Sequence, residues 1–334
     1  MSKIILIVDG DLAIFRNAAV IEKRSVLVTH LPSHTNKVFS NRTAFKDFLA
    51  AKGREYVELD YLIEDQQEAQ DPVVAFRLVR GLFDKMQTAV AADEVEVYVG
   101  NDEPTFREKL PLPSPYKDNR EGLIKPVNLK ATKQFVKKHY GFDTFEGLET
   151  DDVVTIRCYE EIAKGNLPIL ATLDKDAWQS QGVTLLDWTK EGYPLELVPD
   201  LGDMLWRKQK EVKGKMVLDT KVRGLGLRYL AYQILAGDAT DTYKPYELSK
   251  VKYGSIKAMT AVNSATTKAE LFEVIENQYQ LLYPEPFEYT DCHGVIQSAT
   301  WEDMLSLYFK CAYMKRSWDD PSDYWKFKEQ QLAN

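Results

Sequence analysis

The residues most able to do chemistry are acids, and they recur in a pattern. Asp9 and Asp11 bracket Gly10 directly after the apolar run Ile4-Ile5-Leu6-Ile7-Val8. Asp102 follows a second such run, Val95-Glu96-Val97-Tyr98-Val99. Glu149, Asp151 and Asp152 fall together in GLETDDVVT, Asp174 and Asp176 in TLDKDAW, and Asp238 and Asp241 in LAGDATDTY. A single Asp or Glu is ordinarily a solvated surface group. Acids near a helix start also serve as caps, which accounts for one or two of the GLETDDVVT triplet and less easily for three. A set of carboxylates gathered in space would repel itself without cations, so the set implies metal. The expected ion is Mg²⁺, which prefers oxygen ligands and keeps several waters. Mn²⁺ accepts similar ligands and is an expected substitute. Two such ions serve phosphodiester hydrolysis, one activating water and the other stabilising the leaving oxygen. The four histidines are scattered and no CxxC pair exists, which disfavours zinc.

Basic residues run against the overall charge of −8. Residues 107–138 hold Arg107, Lys109, Lys117, Arg120, Lys125, Lys130, Lys133, Lys137 and Lys138 against only Glu108, Asp118 and Glu121. A second basic stretch spans 207–228, with Gly224 and Gly226 in VRGLGL able to permit a close backbone approach. Either stretch alone reads equally well as a solvated face. Beside an acidic catalytic set they read as contacts to phosphates, which position DNA without reading its sequence. Lys117 and Arg120, in PSPYKDNR, suit a phosphate whose charge grows in the transition state. Tyr116 could stack on a base or simply pack in a loop.

These side chains need elements to hold them. The run at 4–8 reads as a strand buried on both faces, as in a parallel sheet. Residues 71–92 have helical spacing, with Val74, Leu78, Leu82 and Met86 on one stripe. Strands follow at 95–99, 167–172 and 183–188, and helices at 127–140 and 150–164. The expected fold class is therefore α/β, a central, mostly parallel sheet flanked by helices. Asp9, Asp102 and Asp174 each follow a strand end, where open parallel sheets bind ligands. At about 100° per residue, Glu149 and Asp152 share one side of their helix, and Asp151 points elsewhere unless it sits at the non-helical start. Beyond residue 200 the strand signals fade, and 225–237, 268–282 and 301–316 read as helices. The expected division is a core over 1–200 and a helical duplex-binding region over 201–334, packed as one structural unit. Residues 25–70 have too little periodicity for an assignment.

At 44% hydrophobic and 28% charged, the 334-residue composition is that of an ordinary globular chain. Three widely spaced cysteines exclude a disulfide framework and fit a reducing compartment, so a cytoplasmic location is expected. No signal peptide or membrane span is read.

VDGD, YKDNR, ETDDVV, TLDKDAW and GDATD stand in the order found in the 5′ nuclease superfamily, which includes flap endonucleases and the 5′ nuclease domain of bacterial DNA polymerase I. The chain resembles this family over about residues 3–245. NDEPTFREKL, NREGLIKPV and GDATDTY look most like the 5′→3′ exonucleases of podovirus-type bacteriophages. The resemblance implies a PIN-like core and a metal-dependent 5′→3′ exonuclease on double-stranded DNA with 5′ ends or flaps, with flap cleavage and removal of RNA from RNA–DNA hybrids in replication or recombination. It implies a metal-site role for Asp9, Asp102, Glu149, Asp151, Asp152, Asp174, Asp176, Asp238 and Asp241, and a scissile-phosphate role for Lys117 and Arg120. Arg107 matches a nearby basic position; Asp11 matches less well. The family commonly carries a glycine-rich, K⁺-binding helix–two-turn–helix after the GDxxD segment. Here YKPYELSKVKYGSIKAM keeps a single glycine, Gly254, which puts K⁺ in doubt but leaves Lys250, Lys252 and Lys257 as duplex contacts. The short 120–149 segment suits a small helical gateway better than a tall arch.

Two other readings compete. A haloacid-dehalogenase-type phosphatase would fit VDGDLA, but Ala13 stands where that family usually has Thr, and YKDNR and ETDD stay unexplained. A DNA-end-binding protein without catalysis would need the basic segments but not the acids.

Overall fold

The computed structural model describes residues 2–333 except 102, 121–122, 144, 207–209, 213–214 and 218–221; the side chains of 120, 142–143, 206, 210–212 and 215–217 are also outside the description. In chain order the elements are β1 (Ile4–Asp9), α1 (Gly10–Val20), β2 (Glu22–His30), β3 (Thr35–Phe39), α2 (Arg42–Ala51), β4 (Tyr61–Ala69), α3 (Pro72–Val90), β5 (Glu94–Val99), α4 (Leu129–Tyr140), β6 (Phe142–Asp143), α5 (Thr150–Ala163), β7 (Leu167–Ala171), β8 (Thr184–Leu186) and β9 (Leu195–Leu197). They continue as β10 (Met204–Trp206), β11 (Lys210–Val212), β12 (Lys215–Val217), β13 (Val222–Gly224), α6 (Gly226–Ala236), α7 (Ser255–Ser264), α8 (Lys268–Leu282), β14 (Phe287–Thr290), β15 (Ile296–Ala299), α9 (Trp301–Ala312) and α10 (Tyr324–Ala333).

The chain divides into two units. One comprises 1–9, 86–123 and 142–334; the other comprises 10–85 and 124–141. Residues 142–334 lie within one unit.

The larger unit holds a six-stranded sheet in the order β6-β5-β1-β7-β8-β9. All its pairings are parallel except β8 with β9. β1 is central, which is why its run is apolar on both faces: Leu6, Ile7 and Val8 are fully buried. The expected central, mostly parallel α/β sheet is what forms. Its C-terminal region is helical, α6 to α10, around a core that includes Leu230, Ile234, Phe272, Tyr279, Tyr308 and Phe309. Among the described residues, three two-stranded ribbons also lie beyond residue 200, β10-β13, β11-β12 and β14-β15. The sequence reading missed them because strands of three or four residues carry too few alternations to register. It also missed α7 and α10, and it ran α9 on to 316, past the actual end at Ala312.

The smaller unit answers the unassigned stretch at 25–70. It is an antiparallel sheet, β3-β2-β4, with α2 packed on one face through Phe45 and Leu49 against Val26 and Val28. Burial alternates only over Val26–Val28 of β2 and the first residues of β4, and much of the rest of the sheet is polar, so the strand period was hidden. Phe76 of α3 and Phe135 of α4 stack at 4.5 Å. The expected stripe on α3 is displaced by one position. Ala75, Val79, Phe83, Met86 and Val90 are buried, whereas Leu78 is exposed. Both stripes have helical spacing, and the packing partner decides between them.

Candidate active site

The acid site begins where β1 ends. Asp9 is buried there, and its Oδ2 accepts a 3.2 Å hydrogen bond from Thr172 Oγ1, just past β7. The same hydroxyl oxygen accepts Asp174 N–H at 3.0 Å, and Asp174 in turn caps a short 3₁₀ turn by accepting Asp176 N–H at 2.9 Å. Adjacent parallel strands thus end in acids tied together by one threonine. Asp151, in the first turn of α5, joins them. Burial raises its carboxyl well above the ordinary range, and the charges of Asp174, Asp9 and Glu149 push the same way against Lys117.

A second group adjoins Asp174. Asp176, Asp238 and Asp241 are all buried, and one carboxylate oxygen from each lies within 4.8 Å of the others. Asp176 is pushed up to about 7, first by burial and then by Asp174, with Lys175 acting against both. Asp176 Oδ1 also accepts 2.5 Å from Gln233 Nε2, whose amide oxygen is held by Gln179. Asp238 and Asp241 lie on the turn after α6, which ends at Gly237 with φ +70. A Cβ at Gly237 would come 2.3 Å from Tyr243 O, so the turn requires glycine.

Lys117 links the groups. Its backbone is left-handed (φ 58), its N–H donates to Asp241 O at 2.9 Å, and its ammonium contacts Glu149 and lies 3.7 Å from Asp241 Oδ1. A left-handed non-glycine residue is held only when its surroundings over-determine it. Thr242 supplies that hold, since its hydroxyl contacts Pro115 O and Asp118 N. Tyr116 is buried, with its hydroxyl donating to Asp241 at 3.0 Å and Glu149 at 3.3 Å. The tyrosine is thus packed in its loop, 7% exposed, with its hydroxyl on the acids.

Arg107 departs furthest from expectation. It is 0% exposed. Its guanidinium makes two hydrogen bonds to Asp152 (2.6 and 3.0 Å), one to Glu149 (3.0 Å), and one each to the carbonyls of Cys311 and Tyr313. All five N–H donors are engaged, leaving none for a phosphate. Burial opposes its charge, but Asp152 and Glu149 outweigh burial and raise its pKa. Asp152, also 0% exposed, is spent on Arg107 and on Lys315 N–H. Glu149 and Asp152 do share one side of α5, as the helical angle requires, but Arg107 occupies that side. Asp151 is the triplet member that turns toward Asp9 and Asp174.

Lys175 went unremarked in the sequence. Its ammonium contacts Asp238 and lies 3.9 Å from Asp176. Its place between the two acids of TLDKDAW was the available signal. Asp102 lies outside the described residues, as does the Arg120 side chain; the Arg120 backbone closes a 3₁₀ turn with Asp118.

Among the expected DNA contacts, Lys250, Lys252 and Lys257 are exposed around the start of α7, with Lys257 Nζ on Lys252 O. Lys125 and Lys130 are exposed in the smaller unit, where Lys133 pairs with Asp11 at 2.8 Å. In the 207–228 stretch the residues around 207–221 lie outside the description or outside its side chains. Arg223 pairs with Glu196, and Arg228 is buried, donating to the carbonyls of Gly202, Val262 and Ala265. Gly226 (φ +70) does allow a close backbone approach, but to Pro199 O of the chain itself.

The donors are all carboxylates, several of them buried together, and this set fits a hard divalent cation. No helix among the described residues is long and apolar enough to cross a membrane. No family model and no curated protein matches the sequence. Among solved structures, the chain is similar to a bacteriophage T5 flap endonuclease in a pseudo-enzyme–product complex with DNA and metal ions, at 13% identity and TM-score 0.44 over 99% of this chain and 98% of that one. It is also similar to the T5 5′-exonuclease with bound divalent metal ions (zinc), at 14% identity and TM-score 0.48 over 99% of both chains.

Proposed function

We propose that the chain is a Mg²⁺-dependent 5′→3′ nuclease on double-stranded DNA, with cleavage of 5′ flaps and of RNA primers paired to DNA. The observation that carries the reading is the pairing of two adjoining acid groups with a lysine held against them by its own backbone. Asp176, Asp238 and Asp241 would hold one divalent ion, and Asp9, Asp151 and Asp174 another. Bound there, the ions supply an activated water and neutralise charge on the phosphate and leaving oxygen.

The chain's own residues do the rest. Arg107 clamps Glu149 and Asp152, and so sets the start of α5 and the aim of Asp151. Tyr116 and Glu149 hold the Lys117 ammonium beside the acids until a phosphate competes for it. At the phosphate, Lys117 offsets developing negative charge, as does Arg120 in this reading. Lys250, Lys252 and Lys257 contact duplex phosphates, and Lys125 and Lys130 serve the same purpose from the smaller unit. Terminal nucleotides unpair to reach the acids, because a bond inside a duplex is shielded.

The test is a cleavage assay on blunt, nicked, 5′-flap and hybrid substrates labelled at the 5′ end, with Mg²⁺, with Mn²⁺ and with EDTA. Short 5′ products that require the metal support the reading. Hydrolysis of small phosphate esters without cleavage of DNA would move the assignment to a phosphatase. Binding without cleavage in Mg²⁺ would make the chain an end-binding protein.

A further inference from the structure

The β3-β2-β4 sheet with α2 contributes no residue to the acid site, yet its charges are sorted. Residues 37–54 carry Lys37, Arg42, Lys46, Lys52 and Arg54 against Asp47 alone. Residues 55–71 carry Glu55, Glu58, Asp60, Glu64, Asp65, Glu68 and Asp71 and no basic residue. β3, which carries Lys37, forms one edge of the sheet, and β4, which carries Glu64, Asp65 and Glu68, forms the other; the remaining basic residues lie on α2 or just after it.

On the basic side, lysines from two elements meet on one ring. Lys37 Nζ, from β3, lies 4.2 Å from the Phe48 centroid, and Lys52 Nζ, at the end of α2, lies 4.8 Å from it. Lys37 also lies 5.4 Å from Phe39, and Lys46 lies 5.0 Å from Tyr56. Among the described residues, none of these three lysines forms an ion pair, whereas Arg42 is committed to Asp65 through two hydrogen bonds. Lysine stems often lie along aromatic surface. Two ammoniums drawn to one ring with no carboxylate to neutralise them are different. Each ammonium keeps its full positive charge, and an anion that comes to this face is attracted by both. The rings also restrict the ammoniums, so less side-chain freedom is lost on binding.

We propose that the β3–α2 face of the smaller unit is a second DNA-contact surface, in which Lys37, Lys46 and Lys52 take backbone phosphodiesters. This rests on the nuclease reading for the identity of the polyanion. A single strand and a duplex offer the same phosphodiester chemistry, and the experiment separates them.

The probes are fluorescein-labelled single-stranded and duplex DNA, followed by anisotropy in Ca²⁺ over a NaCl series, with the DNA checked for intactness on a gel. The full chain is compared with Lys37→Gln/Lys52→Gln and Lys37→Glu/Lys52→Glu, each checked by circular dichroism and thermal midpoint. The Gln pair keeps most of each stem over Phe48, so it retains the fold if the Glu pair does not. Loss of two contacts lowers the slope of log K against log salt by about 1.4 on a single strand or about 1.8 on a duplex. On a single strand this corresponds to about 25-fold weaker binding at about 0.1 M salt. The probe on which the loss appears identifies the strand type. Folded variants that keep the parental slope and affinity on both probes overturn the proposal while leaving the nuclease reading intact. Failure of the unsubstituted chain to bind either probe overturns both.

Discussion

Arg107→Met separates a buried strut from a DNA contact. In the folded chain the guanidinium has no exposure and five hydrogen bonds, to two carboxylates and two carbonyls. Methionine fills most of the volume and donates nothing. Asp152, equally buried, then keeps a charge with Lys315 N–H as its remaining non-local partner. Removing one member of a buried pair typically costs about 3–5 kcal/mol. The two orphaned carbonyls add about 1–3 kcal/mol each if water cannot reach them. Those figures overlap, since relaxation serves all four acceptor groups at once, so a loss of about 3–6 kcal/mol is expected. The assay is urea denaturation in EDTA followed by circular dichroism. Asp152→Leu in the same background removes the stranded charge and should restore part of the loss, giving a coupling of about 1–3 kcal/mol in the double-mutant cycle. Arg107→Lys should recover little, because one ammonium cannot replace a five-donor fork. The reasoning is refuted if Arg107→Met unfolds within about 0.5 kcal/mol of the parent, the size of an ordinary surface change. If that stable variant also bound DNA tenfold more weakly, Arg107 would return to the interface.

Lys117→Ala should keep the fold and slow single-turnover cleavage at saturating DNA by about 10²–10³-fold, the usual loss for one preorganised charge at a reacting phosphate; an unchanged rate would remove its assigned role. In metal-free protein, stability should fall as pH rises from about 5 to 8. Asp151 and Asp176 have folded-state pKa values above their unfolded ones, so the folded state holds protons that the unfolded state has already released. The extra stability is complete below the unfolded pKa and is lost as pH passes the folded value, about 7 for Asp176. Asp176→Asn should flatten this slope, and a parent slope of the opposite sign in EDTA would contradict the account. Gly237→Ala should lower the denaturation midpoint by an amount worth more than about 1 kcal/mol, since it combines a left-handed φ with a Cβ 2.3 Å from Tyr243 O; a midpoint within error of the parent would show that the turn relaxes.

The sequence by itself determined the central sheet and gave a reason for acids at its strand ends to meet. The run at Ile4–Val8 could only be a strand covered on both faces, and acids placed after strand ends had a reason to meet. Helical spacing also put Glu149 and Asp152 on one side of α5. What that side would face was beyond it. Arg107 reaches Asp152 across 45 positions and Cys311 O across 204, and no local period encodes such partners. Tertiary packing therefore made Arg107 and Asp152 a buried brace and left Asp151 to meet Asp9 and Asp174. It also chose Val79 over Leu78 as the inner face of α3, and it brought Lys37 and Lys52 to one ring from elements whose polar edges hid their period. Local pattern sets which element forms and which residues share a face. Only the packed chain decides what that face meets, because that depends on residues distant in sequence that compete for the same buried space and the same donors.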